Sequence, residues 1–193
     1  MTSNDCTAQR IIFVGTLSWN KGPQYLIDAI KPISEECPHV RLIMLGDGPL
    51  RTNLQKQAEK LQVADRIEFM GNLTTVQVAE YYRKADICMI PSLFETFSMV
   101  ACEAMLHSLP IVASRRGSLP ELVVDGETGL LVEPTDPHSI AAAVLRLLRN
   151  PDEARRLGRN GYDRAQRLYS LDAYLRNLAD VVRLAQVREE KAL

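Results

Sequence analysis

Ile87-Cys88-Met89-Ile90, followed by Pro91-Ser92-Leu93-Phe94-Glu95-Thr96-Phe97-Ser98-Met99-Val100-Ala101-Cys102-Glu103-Ala104-Met105, runs from an apolar block through a polar break into a second, longer apolar segment. Four consecutive apolar residues without polar alternation describe a strand buried on both faces. Such strands belong to parallel sheets flanked by helices. The segment after the break is long enough for a helix, expected over residues 97–107. The unit is therefore strand, loop, helix, and it repeats in both directions along the chain.

Towards the N-terminus, Ile11-Ile12-Phe13-Val14-Gly15 is another continuous run. A helical pattern follows over 23–36, with Tyr25, Leu26, Ala29, Ile30 and Ile33 on one side. Pro23 suits a first helical turn, whereas Pro32 is expected to kink or shorten the helix. A strand over 40–45 closes on Gly46-Asp47-Gly48-Pro49, a strong stop signal. Helix (50–61), strand (66–70) and helix (74–84) come next. Towards the C-terminus the pattern predicts a strand over 111–113, a short sixth strand over 129–132, and helices over 139–149, 152–169 and 171–187. Asn150-Pro151 and Ser170 serve as breaks and caps. Regular strand–helix alternation selects an α/β fold: a Rossmann-like, doubly wound parallel sheet of about six strands with extra C-terminal helices.

The chain has 193 residues, 23 Lys+Arg against 24 Asp+Glu, and 46% apolar residues. That length favours one domain, expected over 11–193 after a polar lead at 1–10. Near-neutral charge argues against a nucleic-acid binder, which shows a basic excess. No apolar run approaches the ~18 residues of a membrane span, and the first ten residues lack a signal-peptide core. Four cysteines without CxxC spacing (Cys6, Cys37, Cys88, Cys102) read as thiols of a reducing compartment, and three scattered histidines form no metal cluster. The expected location is the cytoplasm, and no metal is expected.

Ligands of open α/β sheets bind outside the carboxyl ends of the strands, so the informative loops begin at Gly15, Gly46, Gly71, Pro91 and Ser114. Gly15-Thr16-Leu17-Ser18-Trp19-Asn20-Lys21-Gly22 places a lysine beside the free N–H groups of a helix start, a combination that attracts phosphate. The Walker pattern fails there, because Asn20 and Gly22 stand where a glycine and a Ser/Thr are needed. The dinucleotide fingerprint fails at Arg51. In the 91–105 stretch, Glu95 precedes a helix and Glu103 follows eight residues later. Eight positions are about two turns, or ~12 Å, and return within about 80° of the same face. One carboxylate is expected at the mouth of a cleft and the other deeper along the helix. The helix N-terminus between them suits an anion.

This stretch resembles the E-x7-E signature of the retaining, nucleotide-sugar-dependent group 1 glycosyltransferases of GT-B architecture. Val14-Gly15-Thr16-Leu17 with Lys21-Gly22, Gly46-Asp47-Gly48-Pro49, Tyr81-Tyr82 with Ala85-Asp86, Pro91-Ser92, Glu103-Ala104-Met105, Val112-Ala113-Ser114, Gly117 with Pro120-Glu121, and Asp125-Gly126 through Val132 fall in the family's order. The resemblance implies the C-terminal, donor-binding half of a GT-B fold. It implies binding of a UDP-, GDP- or ADP-sugar with Gly15, Thr16 and Lys21 at the diphosphate, and backbone N–H groups of Phe97, Ser98, Met99 and Val100 at phosphate and sugar. Glu103 would hold the ribose hydroxyls, Glu95 the donor sugar, and the backbone up to Leu73 the base. Lys21 and Glu95 would carry the catalytic roles, and the family's chemistry needs no metal.

Departures from the family pattern are Thr16, where an arginine is usual, and Thr96 and Ser98, where glycines are usual. Arg115 and Arg116 are either a replacement for the missing cation or an exposed basic pair. The family also implies an N-terminal acceptor domain, so the chain reads as an excised half or as a subunit needing an acceptor-binding partner. Arginines from Arg146 to Arg167 offer a contact for that partner or for the inner face of a membrane, unless they form solvated helix faces. Two other readings share these residues: a nucleotide-binding module without catalysis, and a nucleotide-sugar epimerase, against which the Glu95/Glu103 spacing argues.

Overall fold

The computed structural model describes residues 9–170 together with 172, 173, 175 and 179. Most of the helix expected over 171–187 and most of the polar lead thus lie outside the described residues. Six strands, β1 (Arg10–Val14), β2 (Arg41–Leu45), β3 (Ile67–Gly71), β4 (Ile87–Ile90), β5 (Ile111–Ser114) and β6 (Leu130–Val132), form one sheet in the order β3-β2-β1-β4-β5-β6. All five pairings are parallel. The connecting helices are α1 (Pro23–Glu36), α2 (Arg51–Lys60), α3 (Thr75–Lys84), α4 (Met99–Leu106) and α5 (Leu119–Leu122). Two more, α6 (Pro137–Arg149) and α7 (Pro151–Tyr169), follow the last strand.

The continuous apolar runs have the predicted consequence. Along β1, Ile11 and Phe13 enter one core with Leu26, Ile30 and Ile33 of α1 and Ile140 and Val144 of α6. Ile12 enters a second core with Tyr82 of α3, Ala101 and Met105 of α4, and Leu119 of α5. Side chains alternate across a strand, so a strand feeding two cores must be apolar at every position. The edge strand β3 is the exception, because only alternate residues are covered and Glu68 and Met70 point outward.

Several boundaries differ from expectation for local reasons. Pro32 does not shorten α1, which runs to Glu36. α4 begins at Met99 rather than Phe97, because Ser98 is its N-cap and accepts a hydrogen bond from the Ala101 N–H. α6 starts at Pro137, two residues early, capped by Asp136 accepting from the His138 N–H. The single-turn helix α5 is too short for any apolar period to reveal it. No described helix is long and apolar enough to cross a membrane.

Candidate functional site

β1 and β4 are neighbours in the sheet, yet α1 and α4 pack on opposite faces. The carboxyl ends of β1 and β4 therefore mark the switch point of the sheet, where folds of this kind have their ligand crevice. The β1 loop is held against the β4 loop by backbone. Leu93 N–H donates to Asn20 O at 2.8 Å. Gly22, in the left-handed region at φ +69°, lies so close that an added Cβ would stand 2.1 Å from Pro91 O. Only glycine satisfies both demands.

This packing brings together two charges that lie 74 positions apart in the chain. Lys21 Nζ donates to Glu95 at 2.8 Å (Oε2) and 3.1 Å (Oε1). Ser92 Oγ donates to the same Oε2 at 3.2 Å, and Ser114 Oγ in turn donates to Ser92 O at 2.5 Å. Behind Glu95, its carbonyl accepts from the Ser118 N–H at 3.0 Å, and Gly117 fits because a Cβ there would lie 2.2 Å from that oxygen. Glu95 is 9% exposed and Lys21 29%. Of the two carboxylates, Glu95 is thus the more deeply set and belongs to the loop ahead of α4, not to the helix. Glu103 is half-buried on the second turn of α4.

Glu103 lines a cavity of about 250 Å³ with Val14, Leu73, Tyr82 and His107, and with Thr75, Val78 and Ala79 of α3. Tyr82 Oη donates to Glu103 Oε2 at 3.1 Å. The Tyr82 ring stacks on His107 at 5.1 Å between centroids. Burial and then the charges of Cys88 and Glu103 push the Tyr82 phenol far above its ordinary pKa. The Cys88 and Cys102 thiols are raised by burial and then by Glu103, so neither is a thiolate at neutral pH. A larger hollow of about 690 Å³ lies at the amino ends of the strands, beside Gln9, Asp86 and Pro110. That is the end opposite to where sheets of this kind bind ligands.

The remaining predicted residues sort plainly. Gly15 follows Val14, which lines the Glu103 cavity, and precedes the exposed Thr16. Phe97 precedes the cap and is exposed, with its ring edge-on to Tyr169. The helix therefore starts two residues later than expected, with Phe97 ahead of its N-cap. The Ser98 hydroxyl takes up the Ala101 N–H, which leaves the N–H groups of Met99 and Val100 free in the first turn of the helix. Arg115 and Arg116 form exposed ion pairs, with Asp125 at 2.5 Å and Glu133 at 2.7 Å. No group of three or more metal-ligating side chains occurs among the described residues.

Sequence reasoning assigned no role to Tyr82, Ser92, Ser114 or Asn20. For Tyr82 a signal existed. Thr75, Val78, Ala79 and Tyr82 follow the i, i+3, i+4, i+7 spacing of one helical face, and that face is the cavity wall.

Residues 4–164 match the family model described as "Glycosyl transferases group 1". The D-inositol 3-phosphate glycosyltransferase of Corynebacterium glutamicum is 38% identical over 162 residues, covering 81% of this chain and 39% of that protein. Sucrose-phosphate synthase from Thermosynechococcus elongatus superposes with a TM-score of 0.83 at 31% identity, over 95% of this chain and 47% of its own. Anabaena HepE, solved in complex with UDP, has the same fold (TM-score 0.83, 24% identity, 92% of this chain and 49% of its own). This chain thus spans less than half the length of each of these proteins. The matching family model, over most of a chain whose ordered motifs converge on one crevice, shows that it belongs to the group 1 glycosyl transferases.

Proposed function

We propose that this chain forms the donor-binding wall of a retaining glycosyltransferase and holds a nucleoside diphosphate sugar at the β1/β4 crevice. The observation that carries the reading is the Lys21–Glu95 pair beside the amino end of α4, with Glu103 eight residues on in a cavity shared with Leu73. Lys21 and the free N–H groups of Met99 and Val100 supply positive charge for the diphosphate. Glu95, fixed by Lys21 and Ser92, accepts from sugar hydroxyls. Glu103 accepts from the ribose hydroxyls, and the backbone up to Leu73 lies against the base. HepE, of the same fold, binds UDP, which makes a UDP-sugar the first donor to test, ahead of GDP- and ADP-sugars.

The chemistry is electrostatic. Cleavage of the bond from anomeric carbon to diphosphate leaves the electron pair on the departing oxygen and oxocarbenium character on the sugar. A fixed cation and a helix N-terminus stabilise the first charge, and the buried Glu95 carboxylate lies beside the second. As proposed, these groups supply the leaving-group stabilisation without a metal. The acceptor hydroxyl arrives from an acceptor domain or subunit, adds on the face the diphosphate leaves, and passes its proton to the leaving phosphate.

Binding tests this reading directly. Trp19 is 63% exposed and two residues before Lys21, so its fluorescence should report nucleotide binding. Glu103→Ala should weaken the tightest of UDP, GDP and ADP by about tenfold, the value of one charged hydrogen bond. Equal affinity in both proteins refutes the ribose assignment.

A further inference from the structure

We propose that Tyr82 is a positioning residue for nucleotide recognition: its hydroxyl pins one oxygen of Glu103, so that the remaining lone pairs of the carboxylate are presented to the ribose hydroxyls. The inference rests on the assignment of Glu103 to the ribose. Tyr82 is 2% exposed, and its Oη donates to Glu103 Oε2 at 3.1 Å. A phenol has a single proton to give, and here the carboxylate receives it. The ring cannot turn away freely. It stacks on His107 at an interplanar angle of 25°, and His107 Nδ1 sits 2.8 Å from the backbone carbonyl of Glu103 itself. Carboxylate, phenol and imidazole therefore form one closed unit bridging α3 and α4 at the wall of the 250 Å³ cavity.

The physical need is clear from the neighbours of Glu103. Ala101, Cys102, Ala104 and Met105 are all buried and apolar, and a carboxylate among them is costly unless it accepts hydrogen bonds. Its long side chain would otherwise sample several rotamers, and ordering it on binding would reduce affinity. Tyr82 meets both needs before the ligand arrives. Burial and the Glu103 carboxylate keep the phenol protonated throughout the physiological range, so it remains a donor there.

The test uses the 193-residue chain, the tightest binding of UDP, GDP and ADP, and the 2′,3′-dideoxy form of the same nucleotide. Tyr82→Phe, which removes only the hydroxyl, should weaken the ribonucleotide by about five- to tenfold and leave the dideoxy form essentially unchanged. A purely structural role would weaken both alike, and that result overturns the inference. So does no change in either while Glu103→Ala still separates the two ligands. If Glu103→Ala itself affects both nucleotides equally, the ribose assignment has failed, and Tyr82 loses its role with it. Melting curves of both variants, followed by circular dichroism, confirm that the comparisons are between folded proteins.

Discussion

At the scale of single residues, the Lys21–Glu95 pair decides most. Glu95 is nearly buried and, among the described residues, has only Lys21 and Ser92 as side-chain partners, so it depends on a cation that is itself more exposed. Breaking such a pair from one side leaves an uncompensated charge. Lys21→Ala should therefore cost about 1–3 kcal/mol of stability, whereas Glu95→Gln, which keeps the shape and needs no counter-charge, should cost less. The double variant should recover part of the Lys21→Ala loss, and urea denaturation of the three variants checks the order. Additive losses would show that the two groups act independently. Lys21 and Glu95 were each legible in sequence, from a glycine-bounded loop and a helix start. Their pairing was not, because it depends on how closely the backbone at Gly22 approaches Pro91, and no local pattern encodes a contact between distant loops.

At the scale of elements, α4 shows what replaced the family's glycines. It is an eight-residue helix with its cap side chain on Ser98, so the hydroxyl is structural and does not reach into the crevice as an extra ligand contact. Ser98→Ala should cost about 1 kcal/mol and Ser98→Gly only a few tenths. Thermal denaturation checks this, and equal losses would remove the capping role. β6 offers a pH-dependent counterpart at the other end of the sheet. Asp125 accepts from the Leu131 N–H at 2.9 Å and from Arg115 at 2.5 Å. Partial burial opposes its ionisation, but those two partners outweigh burial and hold its pKa below the usual carboxylate value. A group depressed in this way stabilises the fold above its unfolded pKa, and the contribution is lost as pH falls through the folded value. Asp125→Asn should accordingly flatten the acid limb of the stability–pH curve, with little change in the limb above neutrality. Strand positions were legible because burial on two faces demands unbroken apolar runs. The start of α4 and the whole of α5 were not, since one capping hydroxyl or a single turn leaves no periodic trace.

At the scale of the whole molecule, the order of motifs along the chain was sufficient to name the architecture, because a doubly wound sheet with strand order 3-2-1-4-5-6 puts every carboxyl-end loop on one side. Trp19, Phe94, Phe97 and Met99 are between 48% and 63% exposed; the first three lie on the segments that follow β1 and β4, and Met99 is the first residue of α4. Exposed apolar side chains gathered at a site mark a surface to be covered. Under the proposed donor-binding reading, the acceptor hydroxyl and the groups that orient it come from the acceptor domain or subunit. Positioning the two reactants and excluding water each account for large parts of a catalysed barrier. The chain alone should therefore bind the donor without transferring its sugar. Substituted for the corresponding region of the Corynebacterium glutamicum D-inositol 3-phosphate glycosyltransferase, of which it spans 39%, it should support turnover. Release of nucleoside diphosphate, measured with and without acceptor, distinguishes the cases. Acceptor-dependent turnover by the 193-residue chain itself would show that the crevice is already complete.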